Sequence, residues 1–495
     1  MEGKSVKSTL SESLQSIYNL SDIKMFGMDE KKQYLKNTSY VLIANLIVLV
    51  IGFFAKTIIA RLLGPSEYGI YALILSTGST LPVFLLFSLN LGVLYYAAKN
   101  PDYKFVRKLT SSTLAFVALM SIVLIIPLYL LSPILLKNMP LEVFISAYIL
   151  GIALSVFYVA QAIQQGTARF KGFSAFNAIS SVFAAVAAVL LAFYTNDPVL
   201  VGVSRAIVLI VTSGLIFASF KGFTTPSKKV LRDVFDYSKI IGASSLITIP
   251  IGIIDTYFLL WFRTKAEIGY YDIADTIGTM ILPFISSLLI TMSPAIIKAD
   301  HKTKAYYDRI FSATVLALTA LSVGIFYFSD YVITFILGQE YALSVMPLKV
   351  MSLALPAMAI TSINTAVLTS LNRTRAVAFL NILLAIVLVI TNILLTPTGG
   401  PVGAAIANLI SFLIVAIAGV YYISTFEKIN ITTPLKQVLL FTITIALYYV
   451  IEKYDAIPKI ITVLLFTLLT AALNQKLIKE LITTFLTKRD EKQKA

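Results

Sequence analysis

The chain has no cysteine, one histidine and one tryptophan in 495 residues. Without cysteine it has neither a disulfide framework nor a thiolate metal site. The lone His301 stands in a basic loop between Asp300 and Lys302 and lacks the partners of a transition-metal site. Gly3-Lys4-Ser5 resembles the end of a phosphate-binding loop but lacks the upstream glycine and the strand–turn–helix setting, which excludes that reading. Charge is scarce too, at 13% of residues. No loop expected outside the membrane is long enough to carry the acids and metal ligands of an embedded polymerase or transferase.

What remains is 58% hydrophobic, with a mean hydropathy of +0.86, more apolar surface than a soluble core can hide. Apolar runs of about 20 residues, enough to span ~30 Å of hydrocarbon, recur about fourteen times. They lie near 38–60, 68–98, 109–135, 143–164, 173–194, 199–220, 238–262, 268–297, 310–329, 343–371, 376–396, 402–424, 436–451 and 458–475. Each is expected to be helical, because a strand edge in lipid leaves backbone groups unpaired. The fold class is an all-α polytopic membrane protein.

The net charge of +15 fits a membrane better than nucleic acid. With the N-terminus placed in the cytoplasm and the sides alternating, nearly all lysine and arginine falls inside. Only Arg61, Lys137, Arg263, Lys265, Lys453 and Lys459 fall outside. That asymmetry obeys the positive-inside rule and places both termini in the cytoplasm. Leu10, Leu14, Ile17 and Leu20 share a helical face, consistent with a short amphipathic helix on the inner leaflet.

One phrase occurs twice, 200 residues apart: Glu67-Tyr68-Gly69-Ile70-Tyr71 and Glu267-Ile268-Gly269-Tyr270-Tyr271, with Arg61 and Arg263 just upstream. Six expected helices separate the copies, so two lobes in the same orientation are implied. The expected organisation is a cytoplasmic segment 1–37, an N-lobe 38–220, a linker 221–237 and a C-lobe 238–425. Two more helices (426–476) and a basic tail (477–495) follow.

Ionisable side chains within spans are costly, about 2.5–3.5 kcal/mol at mid-helix on insertion scales, and mark function. Lys56, Arg205 and Lys349 fall in the outer half of the membrane, with Arg61 just above Lys56; a basic cavity of this kind suits an anionic headgroup. Lys239, near an inner helix end, is expected to snorkel. Asp255, Asp272 and Asp275 are candidates for ion coupling or for pairing between lobes. Lys56 and Asp255 stand at nearly corresponding positions, and a salt bridge between them is expected to break on opening. Asn90, Tyr95, Tyr158 and Gln161 are candidates for glycan contacts, and no metal or catalytic residue is expected.

The segment Ile59-Ala60-Arg61-Leu62-Leu63-Gly64-Pro65-Ser66-Glu67-Tyr68-Gly69-Ile70-Tyr71 resembles the first-hairpin signature of the polysaccharide flippases. These are lipid-linked oligosaccharide translocases of the multidrug/oligosaccharidyl-lipid/polysaccharide exporter superfamily. Looser likenesses follow at Gly166-Thr167-Ala168-Arg169-Phe170, Asp255, 267–271, Leu337-Gly338-Gln339-Glu340-Tyr341 and Leu371-Asn372-Arg373. The resemblance implies two six-helix lobes around a cavity, two C-terminal helices outside them, and alternating access. It implies a polyprenyl-phosphate or pyrophosphate-linked oligosaccharide as cargo, with Lys56, Arg61 and Arg205 holding the pyrophosphate. It further implies Na⁺ or H⁺ coupling through Asp255 and Asp275, and no other cofactor. The expected setting is the cytoplasmic membrane of a bacterium or archaeon. There a monomer would work among membrane lipids, alongside glycan-assembly enzymes. The rival readings are an ion-coupled multidrug exporter of the same superfamily, an integral-membrane glycan polymerase or transferase, and a scaffold.

Overall fold

A computed structural model describes residues 28–137, 139–283, 285, 303–371 and 373–427. The expected amphipathic helix at the N-terminus, His301, the two C-terminal helices and the basic tail lie outside the described residues. All described elements are helical. In chain order they are α1 (Met28–Leu85), α2 (Leu89–Lys99), α3 (Tyr103–Leu135), α4 (Leu141–Gly166), α5 (Phe170–Thr195) and α6 (Pro198–Ser219). The second half holds α7 (Lys228–Ile247), α8 (Ile249–Phe262), α9 (Lys265–Thr279), α10 (Thr303–Ile336), α11 (Val345–Ser370) and α12 (Thr374–Glu427), with a 3₁₀ turn at Gln339–Ser344.

Among the described residues nine helical stretches are long and apolar enough to cross a membrane. Two of them contain a reversal: α1 breaks at Gly64 (φ 70°) and α12 at Gly400 (φ 54°), each followed by proline. Only glycine enters that left-handed region freely, and proline is pre-set for the first turn of the next helix. Lys56 and Tyr68, on opposite sides of Gly64, both reach Asp272, so the chain doubles back there. The expected span 68–98 is interrupted at Phe87 and Ser88, both at positive φ. The span expected from 238 instead starts at Lys228, inside the expected linker. Ser227 caps that helix by accepting from the Val230 amide. A break at Thr248, ahead of Pro250, then divides the pass into α7 and α8.

Helix α3 turns Ile122, Ile126, Leu130 and Ile134 outward, each 65–70% exposed at a spacing of four. In water such a stripe would be a liability, and against lipid it is the expected face. Helix α4 is mostly buried at the centre of the first half, between α1, α3 and α6. In the second half α11 takes the central place, packed by α9, α10 and α12. Lys99, Lys104, Arg107, Arg169 and Lys221 cluster at one end of the bundle, the basic end. Gly64, Gly338 and Gly400 turn the chain at the other, the Gly64 end.

Candidate functional site

The repeated phrase has a structural meaning letter by letter. Gly69 and Gly269 lie back to back at the Gly64 end, where α9 crosses the second arm of α1. A Cβ at Gly69 would fall 1.9 Å from the Lys265 carbonyl oxygen, and one at Gly269 would fall 2.4 Å from that of Pro65. Each glycine thus meets the carbonyl four residues before the other, a two-fold relation between the halves. Only glycine lets the two backbones approach so closely. Glu267 completes a capping box with Thr264 at the start of α9. The third letter divides: Tyr71 lines a cavity in the first half, while Tyr271 donates to Asp255 at 2.7 Å.

The same relation extends to a second contact at the Gly64 end. The Arg61 guanidinium donates to the Phe335 carbonyl at the end of α10 (3.0 Å). Two hundred positions on, the Trp261 indole N–H lies 3.2 Å from the Ile134 and Leu135 carbonyls at the end of α3. The counterpart of Arg61 is therefore Trp261, and the expected equivalence of Arg61 with Arg263 fails. Arg263 instead pairs with Glu267 (2.8 Å) beside Gly400. The Tyr341 hydroxyl donates to the Ala60 carbonyl (2.8 Å), and the Lys137 ammonium to that of Trp261 (2.8 Å). Deeper in, Tyr257 and Thr77 share a neutral hydrogen bond of 3.0 Å. The corresponding pair of helix arms, α1 before Gly64 against α9, meets through an ion pair instead: Lys56 donates to Asp272 (3.1 Å) and Thr276 (2.9 Å), and Tyr68 donates to Asp272 (2.6 Å). The expected pair of Lys56 with Asp255 does not form. One helix away from Asp255, Asp272 presents its carboxylate directly to α1.

The cavity, about 450 Å³, lies among α1, α4, α5 and α6. Its polar lining includes Asn45, Lys56, Tyr71, Tyr158, Asn177 and Arg205, with Gln161 donating to Asn177 at 3.1 Å. Along α1 the lining runs from Asn45 to Ile59, ~21 Å at the helical rise per residue. No carboxylate lines it, and no hydrogen bond or ion pair engages the Arg205 guanidinium among the described residues. An anion entering here meets one free guanidinium, one ammonium shared with Asp272, and the tyrosine hydroxyls.

In the second half the corresponding place is filled. Asp255, 9% exposed, accepts from Asn392 (2.8 Å), Asn408 (2.8 Å) and Tyr271 (2.7 Å). Thr396 donates to the Asn392 amide oxygen at 2.7 Å, which fixes the orientation of that amide. The carboxylate therefore has three neutral donors in place of the expected salt bridge to Lys56. Asp255 corresponds to Ala55 by the 200-residue offset. Asn408 and Arg205 each stand seven residues past the proline that opens their helix. Asn392 and Ala188 each stand eight residues before a left-handed turn residue, Gly400 and Asn196. Ala55, Ala188, Arg205 and Tyr71 all line the cavity. Two alanines replace an aspartate and an asparagine, and that hollows the first half.

Of the residues expected around a basic cavity, Lys56, Arg205, Tyr158 and Gln161 come together. Arg61 belongs to the contact at the Gly64 end. Lys349 is buried between α10 and α11, its ammonium 3.2 Å from Asp330 and facing the Phe326 ring, so the cavity does not include it. Asn90 and Tyr95 lie on α2 outside the lining, and Tyr95 stacks on Tyr237 with centroids 4.5 Å apart. Lys239 pairs with Asp236 on the surface of α7. Asp275 sits one turn beyond Asp272 and meets no donor among the described residues. Sequence reasoning missed Asn177, Asn392 and Asn408. Buried asparagines in apolar helices were the available signal, since each must find a partner. Replacing Lys349 with Met is expected to keep transport within about twofold, because Lys349 lies outside the cavity and the Asp330 carboxylate it meets is half-exposed, so it does not depend on a buried cation. A tenfold loss would return Lys349 to the transport path.

The model of the polysaccharide biosynthesis protein family matches residues 34–296. The probable low-salt glycan biosynthesis flippase Agl15 of Haloferax volcanii is 23% identical over 210 residues, 41% of this chain and 44% of that protein. The match thus spans less than half the length of that relative. The membrane protein MJ1068 of Methanocaldococcus jannaschii is 21% identical over 434 residues, 80% of this chain and 85% of that one. Among solved structures, the lipid II flippase MurJ in an inward closed conformation superposes with a TM-score of 0.70 at 17% identity. That superposition covers 88% of this chain and 99% of MurJ. An inward-facing MATE-family multidrug transporter follows with a TM-score of 0.59 at 15% identity, over 78% of this chain and 98% of that one. At these identities the structural likeness speaks to the fold. The family match, which covers more than half the chain, speaks to descent: the chain belongs to the polysaccharide biosynthesis protein family.

Proposed function

We propose that the protein flips a lipid-linked oligosaccharide across the cytoplasmic membrane by alternating access, as a monomer supplied by glycan-assembly enzymes. The observation that carries this reading is Arg205, an unengaged guanidinium in a membrane-embedded cavity without a carboxylate. Such a group calls for an anion, and a phosphate linking a carrier lipid to a glycan supplies one. Lys56 adds a second positive charge, and Tyr158, Gln161 and Asn177 offer hydroxyl and amide groups to the adjoining sugar. The positive-inside rule assigns the basic end to the cytoplasm. The halves meet at the Gly64 end and also where α7 packs on α2 through Tyr95 and Tyr237, so loading from the cytoplasm requires that second contact to part. Helices α1–α6 and α7–α12 act as two lobes that separate at the Gly69–Gly269 crossing. The relative Agl15, a probable flippase of glycan biosynthesis, supports the choice of cargo.

Asp255 supplies the coupling. A carboxylate ringed by neutral donors and lacking a basic partner is suited to exchange a proton or Na⁺. The test is reconstitution in liposomes with a fluorescent polyprenyl-linked oligosaccharide, with and without Na⁺ and proton gradients. Translocation that one gradient accelerates supports the reading, and Asp255→Asn is expected to abolish that acceleration. Transport of small cationic drugs, with none of the lipid-linked glycan, would refute it.

A further inference from the structure

Lys56 belongs to two neighbourhoods. It lines the cavity, yet its ammonium is held by Asp272 and Thr276 across the contact between halves, and neither of these lines the cavity. Its side chain is 27% exposed and that of Asp272 is 24%, so neither is sealed. An anion beside Arg205 therefore reaches Lys56 from the cavity, which Asp272 does not line. Resting on the flippase reading, we propose that the anionic head of the cargo takes Lys56 from Asp272. Asp272 is then a positioning residue, whose displacement couples loading to separation of the halves.

The physical basis is the fate of Asp272 once Lys56 leaves. It keeps the Tyr68 hydroxyl at 2.6 Å but stands one helical turn from Asp275, which has no donor of its own among the described residues. Two neighbouring carboxylates without a cation are unstable at a helix interface in the membrane. Water entering between α1 and α9 relieves them, and that water arrives as the Gly64 end opens. Between the corresponding helix arms, Thr256 and Ala72 stand where Lys56 and Asp272 would be and the contact is the neutral one of Tyr257 with Thr77, which offers an anion nothing to exchange. The device therefore exists on one side of the two-fold relation only. It makes opening depend on cargo, because Lys56 stays on Asp272 while the cavity holds no anion.

The test uses the full chain in detergent with inorganic pyrophosphate as the probe. Because the chain has no cysteine, Glu142→Cys and Leu343→Cys can carry two spin labels at exposed positions of the Gly64 end. Pyrophosphate is expected to lengthen the label distance in the otherwise native chain. Asp272→Asn frees Lys56, so it is expected to bind pyrophosphate about tenfold more tightly while the distance stays short with and without it. Thr276→Val, a milder change, is expected to tighten binding about twofold and to keep the response. Lys56→Gln is expected to show the long distance without pyrophosphate. A merely structural role for Asp272 would weaken binding and lengthen the distance together. Unchanged or weaker binding by both Asp272→Asn and Thr276→Val overturns the exchange and leaves the flippase reading intact. Failure of the native chain to bind pyrophosphate, or equal binding by Arg205→Ala, removes the anion site and this proposal with it.

Discussion

Replacing Gly69 with alanine is expected to lower translocation at least tenfold while the chain stays folded. The added methyl group would sit 1.9 Å from the Lys265 carbonyl oxygen and 2.8 Å from its carbon. Both are backbone atoms, so no side chain can move aside and the two helices must part. Overpacking of this kind costs about 1–3 kcal/mol, and each 1.4 kcal/mol is a tenfold change in an equilibrium. The cost falls on the state closed at the Gly64 end, because that crossing is where the halves meet at this end. Gly269→Ala is expected to do the same, and the double variant to do little more, since both changes break one contact. Gly214→Ala, with open space around the new methyl group, is the control and should transport normally. Liposome translocation measured beside thermal stability separates a shifted cycle from a misfolded chain. Normal transport by Gly69→Ala would remove the crossing from the mechanism.

Arg205→Ala carries the second large effect. A hydrogen bond to a charged group contributes about 1.5–3 kcal/mol, so translocation is expected to fall between tenfold and a hundredfold. Arg205→Lys should recover part of this, because an ammonium keeps the charge but loses the planar fork that matches phosphate. Stability should change little, since no described ion pair depends on the guanidinium. Initial rates over a range of cargo concentrations check the claim. A loss appearing as weaker apparent affinity fits headgroup binding, and an unchanged profile would contradict it.

The helices were legible because twenty-residue apolar runs have few alternatives, and the Glu-x-Gly-x-Tyr echo pointed to a repeat. The sequence also marked Lys56, Arg205 and Asp255 as charges that a membrane would not tolerate idly. It did not show their partners. Lys56 meets Asp272 rather than Asp255 because the contact runs from α1 to α9, and pairing between helices 200 residues apart leaves no local trace. The equivalence of Arg61 with Trp261 was hidden for a different reason. A guanidinium and an indole share only an N–H, and the carbonyls they meet are chosen by backbone position, not by sequence. The Asp255 cage was missed because Asn392 and Asn408 read as isolated polar residues until the Gly400 reversal brings them together.

The central claim is that the halves separate at the Gly69–Gly269 crossing to pass an anionic lipid head from one face to the other. Ser66 and Ala266 flank that crossing, each next to a residue whose carbonyl makes it. The direct measurement is translocation by the Ser66→Cys/Ala266→Cys chain, bridged by a reducible bifunctional thiol reagent in liposomes loaded with lipid-linked oligosaccharide. Translocation should stop when the bridge forms and return to the unbridged rate on reduction. Continued flipping with the bridge intact would contradict the account.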